Sequence, residues 1–276
     1  MITLDHAGLA GHDLPALHDA FGRLGFTLTP LARQSGRLRA DGPVVPWGTA
    51  NRCAMLRHGY IELLGIVDPA APANGLDGFI ARYPGLHILA LGIDDEDAAL
   101  ARLRRAGLDI PGVLHLHRPV DSADPAGPQA RFARLPLPDA PEGRIQLIRH
   151  LTPEAIWQDR FIHHANQAIA LEAVILAVED PAGTAARLSR LAGRPVVPDP
   201  AGGFALPLDH GRVRILPPAT LPGVLPGLAV PTLPFMAGIV VRTADEAAAV
   251  RALVPDLRHG PSGWTTQAGG AAIAFV

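Results

Sequence analysis

Arg57-His58-Gly59-Tyr60-Ile61-Glu62-Leu63-Leu64-Gly65-Ile66 is an apolar run with one carboxylate inside it. Gly59 stands at its start, and Asp68 and Pro69 follow its end, so it reads as a buried strand. A carboxylate there loses its hydration, which costs several kcal/mol unless a partner compensates. The rest of the chain must therefore bring a cation, a metal ion or a proton to Glu62.

Working outward, residues 51–56 and 60–66 form a hairpin that turns at His58 and Gly59. Before it, residues 2–10 read as a strand with Leu4, His6, Gly8 and Ala10 on one face. Asp13 caps a helix with Leu14, Leu17, Phe21 and Leu24 at helical spacing, closed by Gly25. Residues 26–31 read as a further strand, and a Gly- and Pro-rich loop runs to about Gly48. The order is strand, helix and three strands.

That order repeats. Residues 86–93 read as a strand, and Asp94-Asp95-Glu96-Asp97 opens a helix with the acidic residues its N-terminus favours. Residues 110–117, 130–135 and 144–150 read as strands. A third unit has a strand over 171–178, a helix over 181–191, short strands near Val196 and Phe204, and a last strand over 213–216. Residues 217–234 are rich in proline and read as an extended linker. A fourth unit has a strand over 235–241, a helix over 244–253, and short strands ending in 271–276. The chain thus reads as α+β, with four βαβββ units paired first with second and third with fourth. Residues 1–150 hold the first pair, 151–170 a connector and 171–276 the second pair.

At 276 residues with 48% hydrophobic and 18% charged residues, the chain can bury a substantial core. A net charge of -2 with no basic run gives no footprint for nucleic acid. No apolar run reaches the length of a membrane span, and no charged-then-apolar leader pattern opens the sequence. The single cysteine, Cys53, allows no internal disulfide and fits a reducing compartment, so a cytoplasmic protein is expected.

Aligning the units places the chemistry. His6 of the first strand falls opposite His87 of the fifth, and Glu62 falls opposite Gln146 on the last strand of each unit. Imidazole, carboxylate and amide oxygen together suit Zn²⁺, Fe²⁺, Mn²⁺, Ni²⁺ or Co²⁺. At the same alignment the second half has Ala173, Arg214, Ala237 and about Ala274, so one metal site per chain is expected, in the first half.

The repeat, with Leu4-Asp5-His6 opening it and Ile61-Glu62-Leu63-Leu64 closing its first unit, resembles the vicinal oxygen chelate superfamily, which includes glyoxalase I, methylmalonyl-CoA epimerase, extradiol dioxygenases and antibiotic-resistance proteins. Trp47-Gly48-Thr49-Ala50-Asn51 and the connector around 157–168 are similar to its glyoxalase-like-domain group. The resemblance implies two half-barrel cups. It also implies one divalent metal ion on His6, Glu62, His87 and Gln146, and a small oxygenated substrate that chelates it. Glyoxalase I carries Glu where this chain has Gln146, and Gln cannot act as a base, so Glu62 becomes the one proton carrier. Asn51, His163 and Asn166 are the candidate substrate contacts.

Three functions are compatible with these residues. The first is a metal-dependent lyase or isomerase working through an enolate. The second is an extradiol-type Fe(II) dioxygenase, because two His and one carboxylate also form the facial triad. The third is a non-catalytic binding or resistance protein. A homodimer is one arrangement the paired units allow.

Overall fold

In the computed structural model, which describes residues 1–37, 42–137 and 140–276, the first unit consists of β1 (Ile2–Gly11), α1 (Leu14–Arg23), β2 (Ala32–Arg37), β3 (Val44–Met55) and β4 (Tyr60–Ile66). After α2 (Leu76–Arg82), the second unit has β5 (Gly85–Ile93), α3 (Glu96–Arg105), β6 (Leu114–Pro119), β7 (Gln129–Leu135) and β8 (Arg144–His150). A connector with α4 (Pro153–Ile156) and a 3-10 turn leads to the third unit. That unit has β9 (Ala168–Ala177), α5 (Pro181–Ala192), β10 (Val197–Pro198), β11 (Phe204–Pro207) and β12 (Arg212–Leu216). Next come a 3-10 turn over Pro218–Thr220 and α6 (Leu221–Val224). The fourth unit has β13 (Phe235–Thr243), α7 (Ala248–Leu253), β14 (Arg258–Gly260), β15 (Gly263–Ala268) and β16 (Ala271–Phe275).

Each unit is a four-stranded sheet in which the first strand pairs parallel with the last: β1 with β4, β5 with β8, β9 with β12 and β13 with β16. The first strands then pair antiparallel, β1 with β5 and β9 with β13. The pairing of Met236 with Leu86 joins the two eight-stranded halves into one open sheet, and a bridge between His58 and Ala170 links them again. In the first half the far edges approach each other, because Arg33 N–H of β2 donates to Ser122 Oγ beyond β6 at 2.7 Å. That curl gives the half an inner face.

Helices cover the outer face. Asp13 caps α1 by accepting from Ala16 N–H at 2.8 Å, and Pro15 stands in its first turn, where a missing N–H costs nothing. Leu14, Leu17 and Phe21 then pack with Ala7, Leu9, Ile61 and Leu63, which alternate outward along β1 and β4. Asp95 caps α3 in the same way, and Leu103 joins the same core.

Several expected elements differ. Residues 26–31 form no strand; the second strand starts at Ala32 and is offset by the segment that follows α1. The sixth strand starts at Leu114 because Pro111 and Gly112 hold the chain out of a ladder. α2 was not expected, although Leu76, Phe79, Ile80 and Tyr83 carry helical spacing. The proline-rich stretch 217–234 is not an extended linker. It folds into two short turns whose Leu221, Val224 and Leu225 are buried against Ala173, Ile175, Ala237 and Ala274. The apolar residues win because burying them returns more free energy than the extended chain keeps in hydration.

Candidate active site

The central strands of the first half bring four polar side chains to one inner face. His6 of β1 has Nε2 3.1 Å from the Gln146 amide nitrogen of β8 and 3.9 Å from Glu62 Oε2 of β4. Asn51 of β3 donates from Nδ2 to Glu62 Oε1. All four are at least nine-tenths buried. α2 closes one end of this face, where Leu76 and Ile80 meet Ala10, Leu64 and Ile88. The connector closes the other, where Ile156 and Phe161 pack with Met55, Tyr60 and Ala130.

A second layer orients His6. Asp5 Oδ1 lies 2.6 Å from His6 Nδ1, and the same oxygen lies 3.2 Å from His150 Nε2. A carboxylate at Nδ1 accepts from the ring N–H there and leaves the lone pair on Nε2, facing Glu62 and Gln146. Tyr60 stacks on the His6 ring at 4.4 Å, and Trp157 of the connector meets both Tyr60 and His150 edge-on. Burial alone would raise the Asp5 pKa. The charge and hydrogen bond of His150, with the hydrogen bond of His6, outweigh burial and hold it well below the ordinary carboxylate range. Burial, and then the Glu62 charge, push the Cys53 thiol the other way, to a high pKa, so Cys53 is an inert part of this wall.

Asp5 and His6 are neighbours in sequence, and in a regular strand they would point to opposite faces. A β-bulge removes that conflict. The β1–β5 ladder passes from Leu4 opposite Leu91 to His6 opposite Ala90, so Asp5 is the extra residue. The partner strand has the matching bulge: the ladder passes from Gly8 opposite Ile88 to Leu9 opposite Leu86, and His87 is the extra residue.

The bulges correct the expected ligand set. Glu62 lies opposite Gly8 and Gln146 opposite Ala90, so those two positions are equivalent, as the sequence alignment holds. The same ladders set His6 opposite Tyr60 and Ile88 opposite Arg144. The counterpart of His6 is therefore Ile88, and the counterpart of His87 is Asp5. A one-residue slip turns a side chain to another surface. His87 lies between the rings of Phe79 and Tyr83, at 5.3 and 4.1 Å, with Nε2 2.7 Å from the Tyr83 carbonyl. Burial depresses its pKa to about 4, so it is a neutral ring. Among the described residues nothing brings it to Glu62, so His6, His87 and Glu62 do not assemble as a facial triad.

The other candidates divide. Asn51 joins the cluster. His163 is exposed and pairs with Asp159 at 3.2 Å. Asn166 is fully buried but works as a clasp, donating to the Leu24 carbonyl and accepting from Ala168 N–H. The neighbouring His164 is also tied to backbone, with Nδ1 accepting from Thr27 N–H and Nε2 facing the Met55 carbonyl. Sequence reading passed over Asp5 and His150. Both carried a signal: Asp5 is a second acid inside an apolar strand, and His150 shares the face of Gln146 at even spacing.

Among the described residues no three His, Cys, Asp or Glu side chains are grouped to hold a metal ion. The set here is one imidazole, one carboxylate and one amide. Donors around one divalent ion sit at about 2.1 Å from it and so lie roughly 3–4 Å apart. The separations from His6 to Gln146 and from His6 to Glu62, 3.1 and 3.9 Å, meet that once the amide turns its oxygen inward. The Asp5–His6 pair is also the arrangement that metal-bound imidazoles favour. The residues fit a three-donor site with open positions.

The second half has the same frame with other contents. Its bulges at Glu172 and Ala237 match those at Asp5 and His87, a third falls at Ile169, and its ladders set Ile175 opposite Arg214 and Val240 opposite Ala274. Ala173, Arg214, Ala237 and Ala274 thus occupy the four positions, as the sequence alignment has it. Arg214 makes a two-pronged pair with buried Asp199, both contacts at 2.8 Å, and reaches Ser262 at 3.2 Å.

Comparison with known proteins agrees with this frame. The glyoxalase-like domain family matches over residues 4–192. No curated protein matches the sequence. A hypothetical protein from Staphylococcus aureus superposes with a TM-score of 0.68 at 14% identity, covering 100% of this chain and 99% of that one. A variant of 4-hydroxymandelate synthase from Streptomyces coelicolor gives 0.53 at 17% identity, over 91% of this chain and 74% of that one. A catechol 2,3-dioxygenase gives 0.51 at 15%, over 99% and 87%. These likenesses are of fold. The fold is that of the vicinal oxygen chelate proteins, and with the family match over residues 4–192 the chain belongs to the glyoxalase-like domain family.

Proposed function

We propose that the first half is a divalent-metal site for proton transfer next to a carbonyl, in a lyase or isomerase reaction on a small oxygenated molecule. The observation that carries this reading is the convergence of His6 Nε2, Glu62 Oε2 and Gln146 on one buried face, with Asp5 fixing the imidazole. His6, Glu62 and Gln146 would hold the ion, which supplies Lewis-acid polarisation of a substrate oxygen. Asn51 holds Glu62 Oε1 and so aims the other oxygen inward. Glu62 is the one carboxylate of the four and takes the proton from the adjacent carbon; Gln146 can bind oxygen but carries no proton. The apolar ends of the face keep water away from that step.

Metal analysis after separate reconstitution with Zn²⁺, Fe²⁺, Mn²⁺, Ni²⁺ and Co²⁺ tests the site. About one ion per chain is expected, lost in His6→Ala and Glu62→Ala and kept in His87→Ala. No metal in any condition, or loss in His87→Ala alone, overturns the reading. The chemistry is tested separately, by deuterium exchange at carbon next to a carbonyl in a panel of hydroxyketones and aldehydes. The exchange should vanish in Glu62→Gln, which keeps the shape and removes the base.

A further inference from the structure

A cleft of about 660 Å³ opens beside the cluster just described, between the start of β1, the ends of β5 and β8, and the connector. It does not touch His6, Glu62 or Gln146. Its polar floor is Asp5 and His150, and its apolar wall is Ile93, Ile148, Trp157 and Ile162.

Two features of the lining are incomplete. His150 is nine-tenths buried; its Nε2 is engaged by Asp5, while its Nδ1 has no hydrogen-bond partner. A buried N–H without a partner is costly, and a bound ligand oxygen would accept it. The charges at the rim are mostly spent. Asp94 is paired with the Met1 amino group at 2.9 Å, and Arg149 with Glu96 at 2.7 Å. Arg57, which also lines the cleft, makes no salt bridge or hydrogen bond among the described residues.

We propose that this cleft binds a small carboxylic acid with an apolar body. Arg57 takes the carboxylate, His150 in its imidazolium form donates from Nδ1 to a ligand oxygen, and Trp157, Ile148 and Ile162 cover the body. The logic is that of small-molecule sites generally: an apolar wall for contact area and a few polar groups for orientation. Arg suits a carboxylate because its planar fork matches the two oxygens. The site stands apart from the proposed metal donors, with Asp5 between them, so it does not depend on that reading.

The probes are benzoate and hexanoate, with benzamide and hexanol as uncharged partners of the same shape. Binding to the full chain is followed by calorimetry and by saturation-transfer NMR, in chelator-treated protein and again with Co²⁺ added. At least one acid is expected to bind ten-fold or more tightly than its uncharged partner. Arg57→Ala should remove that difference, and His150→Phe should weaken binding at least five-fold. Trp157→Phe, which keeps an apolar wall, should change affinity little. Equal binding of acid and uncharged partner, no binding of either acid, or unchanged affinity in Arg57→Ala overturns the proposal. Carboxylate binding that survives chelation but requires no metal leaves the two sites separate; binding seen only with Co²⁺ and lost in His6→Ala overturns this proposal, because the acid then sits on the ion.

Discussion

The two halves share one frame and fill it differently. In the first, the inner face carries His6, Glu62, Gln146 and Asn51, and its ends are closed by α2 and the connector. In the second, the same positions carry Ala173, Ala274 and an Arg214 already neutralised by Asp199, and Leu221, Val224 and Leu225 fill the space. The lesson is a division of labour. One face is left polar, and the other is completed as a core. Each half can be perturbed at matching positions, and the effects should differ in kind.

The largest effect should come from Arg214→Ala. It leaves Asp199 buried without a cation and should cost about 3–5 kcal/mol in denaturant unfolding. The double variant Arg214→Met with Asp199→Leu should recover most of that; if it does not, the pair has a role beyond charge balance. Leu225→Ala removes part of the plug and should cost about 2–5 kcal/mol by the same measurement. A cost under 1 kcal/mol would mean the second face is open rather than filled.

His87 adds an effect confined to acid. Its folded pKa of about 4 lies below the ordinary value near 6.5, so the unfolded chain binds the proton first as pH falls. Stability should be full above about pH 6.5 and drop by roughly 2–3 kcal/mol on the way to pH 4. His87→Phe should flatten that limb, measured as urea midpoints across pH. An unchanged limb would place the titrating group elsewhere.

Asp5→Asn keeps the shape and removes the charge behind His6. It should weaken Co²⁺ binding by about 10–100-fold with stability changed less. No change in affinity would separate Asp5 from the proposed metal site. The smallest effect should be that of Gln146→Leu on folding, under about 1 kcal/mol, because an apolar side chain of similar size suits a buried face. A large loss there would show that the first face, too, is needed for the fold.

Much of this frame was legible in the chain. The four-unit repeat, the residues of β8 and the equivalence of Glu62 with Gln146 follow from alternation and punctuation, which are local. The empty second half was legible for the same reason, since Ala173 and Arg214 fall at fixed offsets in a repeat. His87 was misplaced because a bulge adds one residue to a strand without any mark in composition; Asp5-His6 and His87-Ile88 look alike until the ladder is seen. The plug was misread because prolines in 217–234 argue for an extended chain, and only the vacant alanines beneath explain why Leu221 and Leu225 turn inward. Asn166 looked like a binding group because buried amides serve binding and clasping equally, and the carbonyl it donates to, that of Leu24, lies 142 residues away.

The bulge at Asp5 has a mechanical side. The imidazole and the carboxylate that holds it come from consecutive residues, so their separation is set by bonds and angles within one dipeptide. No residue of another strand, helix or connector has to be brought in to make the 2.6 Å link from Asp5 to His6. The bulge sets both side chains on one side, and the Tyr60 ring and His150 hold the rotamers that keep them in contact.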